Sequence, residues 1–259
     1  MTAATSSSWT LHDWEQRLRG ESAKPMLRFA ETELDGLEPT VRRHLRRAIA
    51  PGTPLGQCGR LSMRGSIKLG RWLPFRARQV LAPHEGFIWA ARVAAVISGS
   101  DQYLRGTGGM DWKLGGLLTV AHEEGPDVSR SSAGRGGAEA IWLPTAMLPR
   151  YGVRWTAEDD THITAHYQVD STPLDVRHTL DADGAIRSVV FDRWGDPDKT
   201  GHWAWRRFGG EITAQRRFGG MTIPSSGRFG WHFGTDRWPA GEFFRYEITD
   251  LRLSQAPPR

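Results

Sequence analysis

From Gln57 to the C-terminus the chain repeats one local pattern. Short runs of β-branched and aromatic residues alternate with polar ones, and Gly, Pro or Asp separates each run from the next. In the run from Gly86 to Val96, residues Phe87, Trp89, Ala91, Val93 and Ala95 fall on one face at period two. Runs of this kind must pair edge to edge. Cys58 is the single cysteine, so no intramolecular disulfide and no cysteine-based zinc site can staple them. A chain of 259 residues buries enough surface to do without such staples. The fold class that follows is α+β, predominantly β: one large curved antiparallel sheet with N-terminal helices and one crossing helix.

The expected strands are Gly59 to Leu69, Leu73 to Leu81, Gly86 to Val96, Gln102 to Gly106 and Met110 to His122. After an insertion come Val153 to Thr156, His162 to Val169, Pro173 to Leu180, Ala185 to Trp194, Trp203 to Phe208, Glu211 to Met221, Arg228 to Phe233 and Phe243 to Leu253. Asp181 to Gly184 carries a hairpin-turn signal. The two RRFGG segments, Arg206 to Gly210 and Arg216 to Gly220, have a ten-residue offset that suits neighbouring strands of a hairpin. Helices are expected at Trp9 to Arg19, Pro25 to Thr32 and Pro39 to Ile49, the last with Val41, Leu45 and Ile49 at four-residue spacing. The Ala- and Gly-rich insertion from Ser129 to Trp142 reads as a helix, with Pro144 forcing a kink and a further turn through Leu148. The organisation is then a disordered tail over residues 1–8, N-terminal helices over 9–50 packed on the main body, and a β domain over 51–259 with its helical insertion at 129–148.

Composition excludes several function classes. The charged fraction of 24% and hydrophobic fraction of 39% are those of a globular chain. No run approaches the roughly 18 apolar residues of a membrane span. The start, MTAATSSSW, has no basic n-region and no apolar h-region, so a cytoplasmic location is expected. The net charge of +5 comes from an Arg-rich chain with only Lys24, Lys68, Lys113 and Lys199 as lysines. Its one dense basic run, Arg42 to Arg47, reads as an exposed helix face. With no nucleic-acid motif present, no nucleic-acid partner is expected. Twelve Trp against four Tyr point to an apolar cavity or aromatic groove, since Trp buries much area and wants an acceptor for its N–H.

The segment AEAIWLPTAMLP at 138–149 resembles a signature of an uncharacterised bacterial family known only as a domain of unknown function. DQYLRG at 101–106, GGM at 108–110, GVRW at 152–155, DRWGDPD at 192–198, FGGMTIP at 218–224 and GWHFGTDRW at 230–238 also match it. Together they reach from about Pro39 to the C-terminus. The resemblance implies no established catalytic residues. It implies a half-barrel fold similar to the lipoprotein carriers, with a curved sheet wrapped round a helical plug and an apolar cavity. The lipid-anchor Cys of those carriers has no counterpart here.

Motif chemistry is sparse. His162 and His166 lie on a strand, where four residues span about 13 Å, too far to share one ion. Gly106 to Gly109 and Gly134 to Gly137 lack phosphate-loop spacing and read as a tight turn and a helix start. No metal site and no cofactor is expected. What remains are polar residues on apolar faces, which need partners or meet a ligand. His178 shares a face with Leu174, Val176 and Leu180, and Gln79 with Phe75, Ala77 and Leu81. Glu139 sits among apolar neighbours, where burial raises a carboxyl group's pKa and suits acid–base work. The competing reading is an ion pair with Arg135, four residues earlier. Candidate catalytic residues are Glu139, His178 and Tyr103. Candidate ligand contacts are Gln79, Trp89, Asp101, Trp142, Trp194, His202 and Trp231, with Asp192 able to join them.

Two readings follow. In the first, the chain binds an apolar or amphipathic small molecule in a Trp-rich cavity, with Glu139, Gln79 and His178 orienting its polar head. In the second, it is a cofactor-independent enzyme doing acid–base chemistry in that cavity, as an isomerase, cyclase or lyase. A third places a docking face on the helix at Arg42 to Arg47.

Overall fold

The computed structural model describes residues 11–19 and 27–254. Thirteen strands form one curved, unclosed antiparallel sheet. They are β1 (Gly59–Leu69), β2 (Arg71–Ala82), β3 (Gly86–Val93), β4 (Ile97–Leu104), β5 (Thr107–Leu114), β6 (Leu118–Glu124), β7 (Arg154–Ala157), β8 (His162–Val169), β9 (Thr172–Leu180), β10 (Ile186–Gly195), β11 (Ala204–Phe218), β12 (Met221–Trp231) and β13 (Glu242–Leu253). Their spatial order is β6-β5-β4-β3-β2-β1-β13-β12-β11-β10-β9-β8-β7. Two meanders therefore meet where β1 pairs with β13. Helix α1 (Leu11–Arg19) and helix α2 (Pro39–Ala48) precede the sheet. Helix α3 (Pro126–Ala138) and three short 3-10 turns, the last ending at Tyr151, join edge strand β6 to the opposite edge strand β7.

Alternation along each strand decides which face is core. On β2 and β3, Phe75, Ala77, Leu81, Phe87, Trp89, Ala91 and Val93 enter the main core. The opposite face of the same strands presents Val80, Ala82 and Ile88, and α1 covers it with Trp14 and Leu18. Cys58 is buried in that second cluster as a small apolar residue. Inside the sheet, α3 contacts β3, β4 and β5 on one side and β8, β9 and β10 on the other. Its glycines permit that approach: a Cβ on Gly136 would stand 2.7 Å from the Phe87 ring, and one on Gly137 would stand 2.2 Å from Leu174 Cδ1.

Several boundaries differ from the sequence expectation. The run from Met110 to His122 is two strands, because Gly115 and Gly116 take positive φ and turn the chain between β5 and β6. The reverse holds for the runs at 203–208 and 211–221. They merge into the single strand β11, and both RRFGG segments begin on it. Gly209 and Gly210 do not break that strand. Cβ atoms there would meet Val189 O at 2.3 Å and Arg228 O at 2.1 Å, so these glycines admit close neighbours. Gly134 to Gly137 closes α3 instead of starting it, and α3 begins earlier, with Pro126 in its first turn. The helix expected at Pro25 to Thr32 is not formed where it is described. Arg28 bridges to Pro54, and a 3-10 turn follows at Glu31–Leu34. The tail at residues 1–8 lies outside the described residues.

Helix α2 buries Val41, Leu45 and, just beyond its end, Ile49 against the sheet interior. The basic run is not a uniform exposed face. His44 is buried, with Nδ1 2.9 Å from Gly184 O, while Arg46 and Arg47 are exposed. His44, His178 and Trp155 pack as a ring cluster, with 5.7 Å between the two imidazole centroids. Burial holds the His44 pKa down to about 4, with Arg47 adding to the effect against the Gly184 hydrogen bond. Burial, then His44, hold His178 well below its ordinary value. Both imidazoles are thus neutral in the folded chain, whereas unfolded ones take up protons near pH 6.5. Stability is therefore complete above about pH 6.5 and is lost as pH falls toward 4. Urea unfolding between pH 7 and pH 4.5 is expected to show a loss of about 2–3 kcal/mol from His44 alone, with His178 adding to it. His178→Leu should make that slope shallower, and an unchanged slope would contradict the assignment.

Candidate functional site

Where α3 ends and the chain passes into the 3-10 turn Glu139–Trp142, the helix no longer fills the sheet's concave face. A cavity of about 250 Å³ opens there. Eight of its sixteen lining residues are aromatic: Trp89, Trp142, Phe191, Phe208, Phe229, Trp231, Phe243 and Phe244. Ile67, Met110, Ala138 and Ile141 add aliphatic surface. The strands supply these rings by alternation, Phe229 and Trp231 from β12 and Phe191 from β10. Phe208 meets Trp231 edge-on at 5.1 Å, a favoured aromatic geometry. The remaining lining residues are four charged groups: Asp101, Arg135, Glu139 and Arg193.

Arg135 is the hub of the polar wall. Its Nε donates to Glu139 Oε1 at 2.9 Å and its Nη1 to Asp101 Oδ2 at 2.5 Å. Each carboxylate has a second donor: Gln79 Nε2 reaches Glu139 Oε2 at 2.5 Å, and Trp112 Nε1 reaches Asp101 Oδ1 at 2.8 Å. All four carboxylate oxygens are thereby engaged. The guanidinium also lies over Phe87 and Trp89, 4.8 and 5.2 Å from the ring centroids. The two carboxylates hold Arg135 protonated despite its burial. Arg193 enters from β10 and lies over Phe208 and Trp231 at 4.9 and 5.2 Å. Burial and the nearby Arg135 lower its pKa to about 9, so it remains a cation at neutral pH.

The candidates from sequence divide into two groups. Trp89, Asp101, Glu139, Trp142 and Trp231 line the cavity, and Gln79 touches it through Glu139. The ion pair Arg135–Glu139 is present. Five others lie elsewhere. His178 belongs to the ring cluster with His44 and Trp155, and neither of its ring nitrogens has a partner among the described residues. Tyr103 donates to Asp170 and accepts from the Gly106 N–H, so it fastens the β4–β5 hairpin, and burial with Asp170 raises its pKa. Trp194 donates to Asp127 Oδ1 at 2.8 Å and packs edge-on against Trp205. His202 lies exposed on the loop between β10 and β11, and Asp192 is exposed on β10. Face-sharing alone could not place these, because the sheet's interior holds filled core as well as the cavity.

Sequence reasoning missed Arg193 and the five Phe residues. A signal existed for Arg193: it continues the inward alternation Val189, Phe191, Arg193 on β10, an Arg in phase with buried residues. A second, open groove of about 800 Å³ runs along β1, β2, β3 and β13 and carries Arg64, Arg76, Arg92 and Arg245. His162 and His166 pair with Asp159 and Asp175, and no group of three metal-ligating side chains occurs among the described residues.

The model of a family of unknown function, DUF6544, matches residues 27–243, and the chain belongs to that family. No curated protein matches the chain. Among solved structures, it is similar to an outer membrane lipoprotein-sorting protein domain from Vibrio parahaemolyticus, with 9% identity, a TM-score of 0.43, and 85% of this chain and 92% of that one covered. It is also similar to a LolA superfamily protein from Nitrosomonas europaea, with 9% identity, a TM-score of 0.41, and 84% and 93% covered.

Within the site, Arg135 alone neutralises two carboxylates that have little solvent around them. Arg135→Met fills much of the same volume but leaves Asp101 and Glu139 without a cation. The variant is expected to lose about 3 kcal/mol in urea unfolding, at the low end for breaking a buried pair because some exposure remains. Glu139→Gln, which keeps a hydrogen-bonding group beside Gln79, should cost clearly less. Equal losses would contradict the hub role of Arg135.

Proposed function

We propose that this member of the DUF6544 family is a binding protein for an apolar or amphipathic small molecule held in the cavity at the end of α3. The observation that carries this reading is the lining itself. Half of it is aromatic, and its charges are confined to two Arg and two carboxylate side chains. Ligand pockets are commonly built this way, with an apolar body and a few polar groups that fix orientation. The volume bounds the ligand. About 250 Å³ exceeds the roughly 150 Å³ cavity that holds benzene and falls just below the roughly 300–1,000 Å³ of drug-sized sites. Each ligand methylene buried there contributes about 0.8 kcal/mol.

Acid–base catalysis has less support. A catalytic carboxyl group needs an oxygen free to exchange a proton with the substrate. Both oxygens of Glu139 are held, one by Arg135 and one by Gln79, and Asp101 is held by Arg135 and Trp112. His178 and Tyr103 are not among the lining residues.

The neutral probe 1-decanol tests the reading. Trp89, Trp142 and Trp231 line the cavity, so tryptophan fluorescence should report saturable binding at one site. Ala138 lines it from the end of α3, and Ala138→Leu puts three further carbons into the space. That variant should weaken 1-decanol binding by about tenfold through overpacking, with its far-ultraviolet circular dichroism unchanged. Non-saturable binding, or an affinity that Ala138→Leu leaves unchanged, would contradict the proposal.

A further inference from the structure

The hydrogen-bonding groups along the cavity's charged wall are unequal in number. Each of the four oxygens of Asp101 and Glu139 already has a protein donor. Donors are left over. Arg135 uses Nε and Nη1, which leaves its Nη2 without a partner among the described residues. Arg193 has a single protein hydrogen bond, from Nε to Ser131 O at 3.3 Å, so both its Nη groups are without one. No carboxylate lies within ion-pair distance of Arg193 among the described residues; Asp101 and Glu139 act on it only from farther away, and Arg135 opposes them. Two guanidiniums on one cavity therefore present three nitrogens with no acceptor.

Such an arrangement costs free energy unless something supplies the acceptors. Arg193 is half-buried, so an unpaired cation there keeps only part of its hydration, and a second cation nearby adds to the cost. The fold nevertheless holds Arg193 in place, its plane fixed between α3 and the rings of Phe208 and Trp231. A planar guanidinium fixed over aromatic rings with its two Nη groups free is shaped for two-point recognition of a planar anion.

We propose that the cavity's ligand is a monoanionic amphiphile, an organic acid whose carboxylate bonds the Nη groups of Arg193 and whose apolar body lies against the aromatic lining. This rests on the binding function proposed above and adds the charge and place of the ligand's head group. A single negative charge fits better than two. Asp101 and Glu139 line the same cavity and repel a dianion, while Arg193 is the cation there that bonds no carboxylate among the described residues. A cationic head is disfavoured because each carboxylate oxygen on the wall already accepts from a protein donor and the two guanidiniums repel it.

The test compares three ten-carbon probes on the full-length protein by titration calorimetry: decanoate, 1-decanol and decylammonium. At pH 7.5 the wild-type protein should bind decanoate at least about tenfold more tightly than 1-decanol, the increment of a charge-assisted hydrogen-bonded pair, and decylammonium most weakly. Arg193→Gln should remove the preference for decanoate while leaving 1-decanol affinity within about twofold. Arg193→Lys, which keeps the charge and loses the planar fork, should fall between. The wild-type comparison needs no variant and stands even where a substitution fails to fold. Equal affinity for decanoate and 1-decanol, or preference for decylammonium, would overturn the head-group assignment and leave the cavity reading intact. Binding of none of the three would overturn both.

Discussion

A sheet of thirteen antiparallel strands with an apolar concave face must cover that face, and this chain has one segment with which to do most of it. Residues 126–151 leave edge strand β6, cross the interior and arrive at edge strand β7. The crossing segment must touch both halves of the sheet at once, so its helix has to lie close to the strands. That requirement explains the Ala–Gly composition of α3. Gly136 and Gly137 face Phe87 and Leu174 at distances no side chain could share. The cost is weak intrinsic helix propensity, about 1 kcal/mol for each Gly relative to Ala. Tertiary packing offsets it. The segment also sets the position of the cavity, because the space opens where α3 gives way to the tighter turn at Glu139–Trp142.

The same crossing fixes the electrostatics. Arg135 and Glu139 are one turn apart at the end of α3, and Asp101 comes from β4 on the sheet. The triad thus ties helix to strand across the core. Gln79 from β2 and Trp112 from β5 complete it, so five residues from three strands and a helix end share one network. Arg193, from the other half of the sheet, stands outside that network while lining the same cavity.

Much of this was legible in the sequence. Period-two alternation located most strands, and β1 and β8 match their expected limits from end to end. The Glu139–Arg135 pair followed from helical spacing. What failed did so for identifiable reasons. Gly inside a strand and Gly in a turn look alike locally, so β11 was divided at Gly209 and Gly210, while β5 and β6 were joined across Gly115 and Gly116. Buried polar residues such as His178 and Tyr103 show only that they face inward, and this interior contains packed core as well as cavity. Arg193 was overlooked because an Arg in a strand ordinarily reads as solvent-facing, although its phase with Val189 and Phe191 says otherwise.

On the proposed function the concave cavity beside α3, and not the open arginine-bearing groove on β1, β2, β3 and β13, receives the ligand. Photolabelling addresses it directly, using decanoic acid that carries a diazirine near its methyl end, followed by peptide mapping. Saturable labelling is expected to be confined to residues 138–142 and to the inward-facing residues of β10, β12 and β13, and to be competed by unlabelled decanoate. Labelling centred on the groove around Arg76 and Arg92, or spread without competition over the surface, would contradict it.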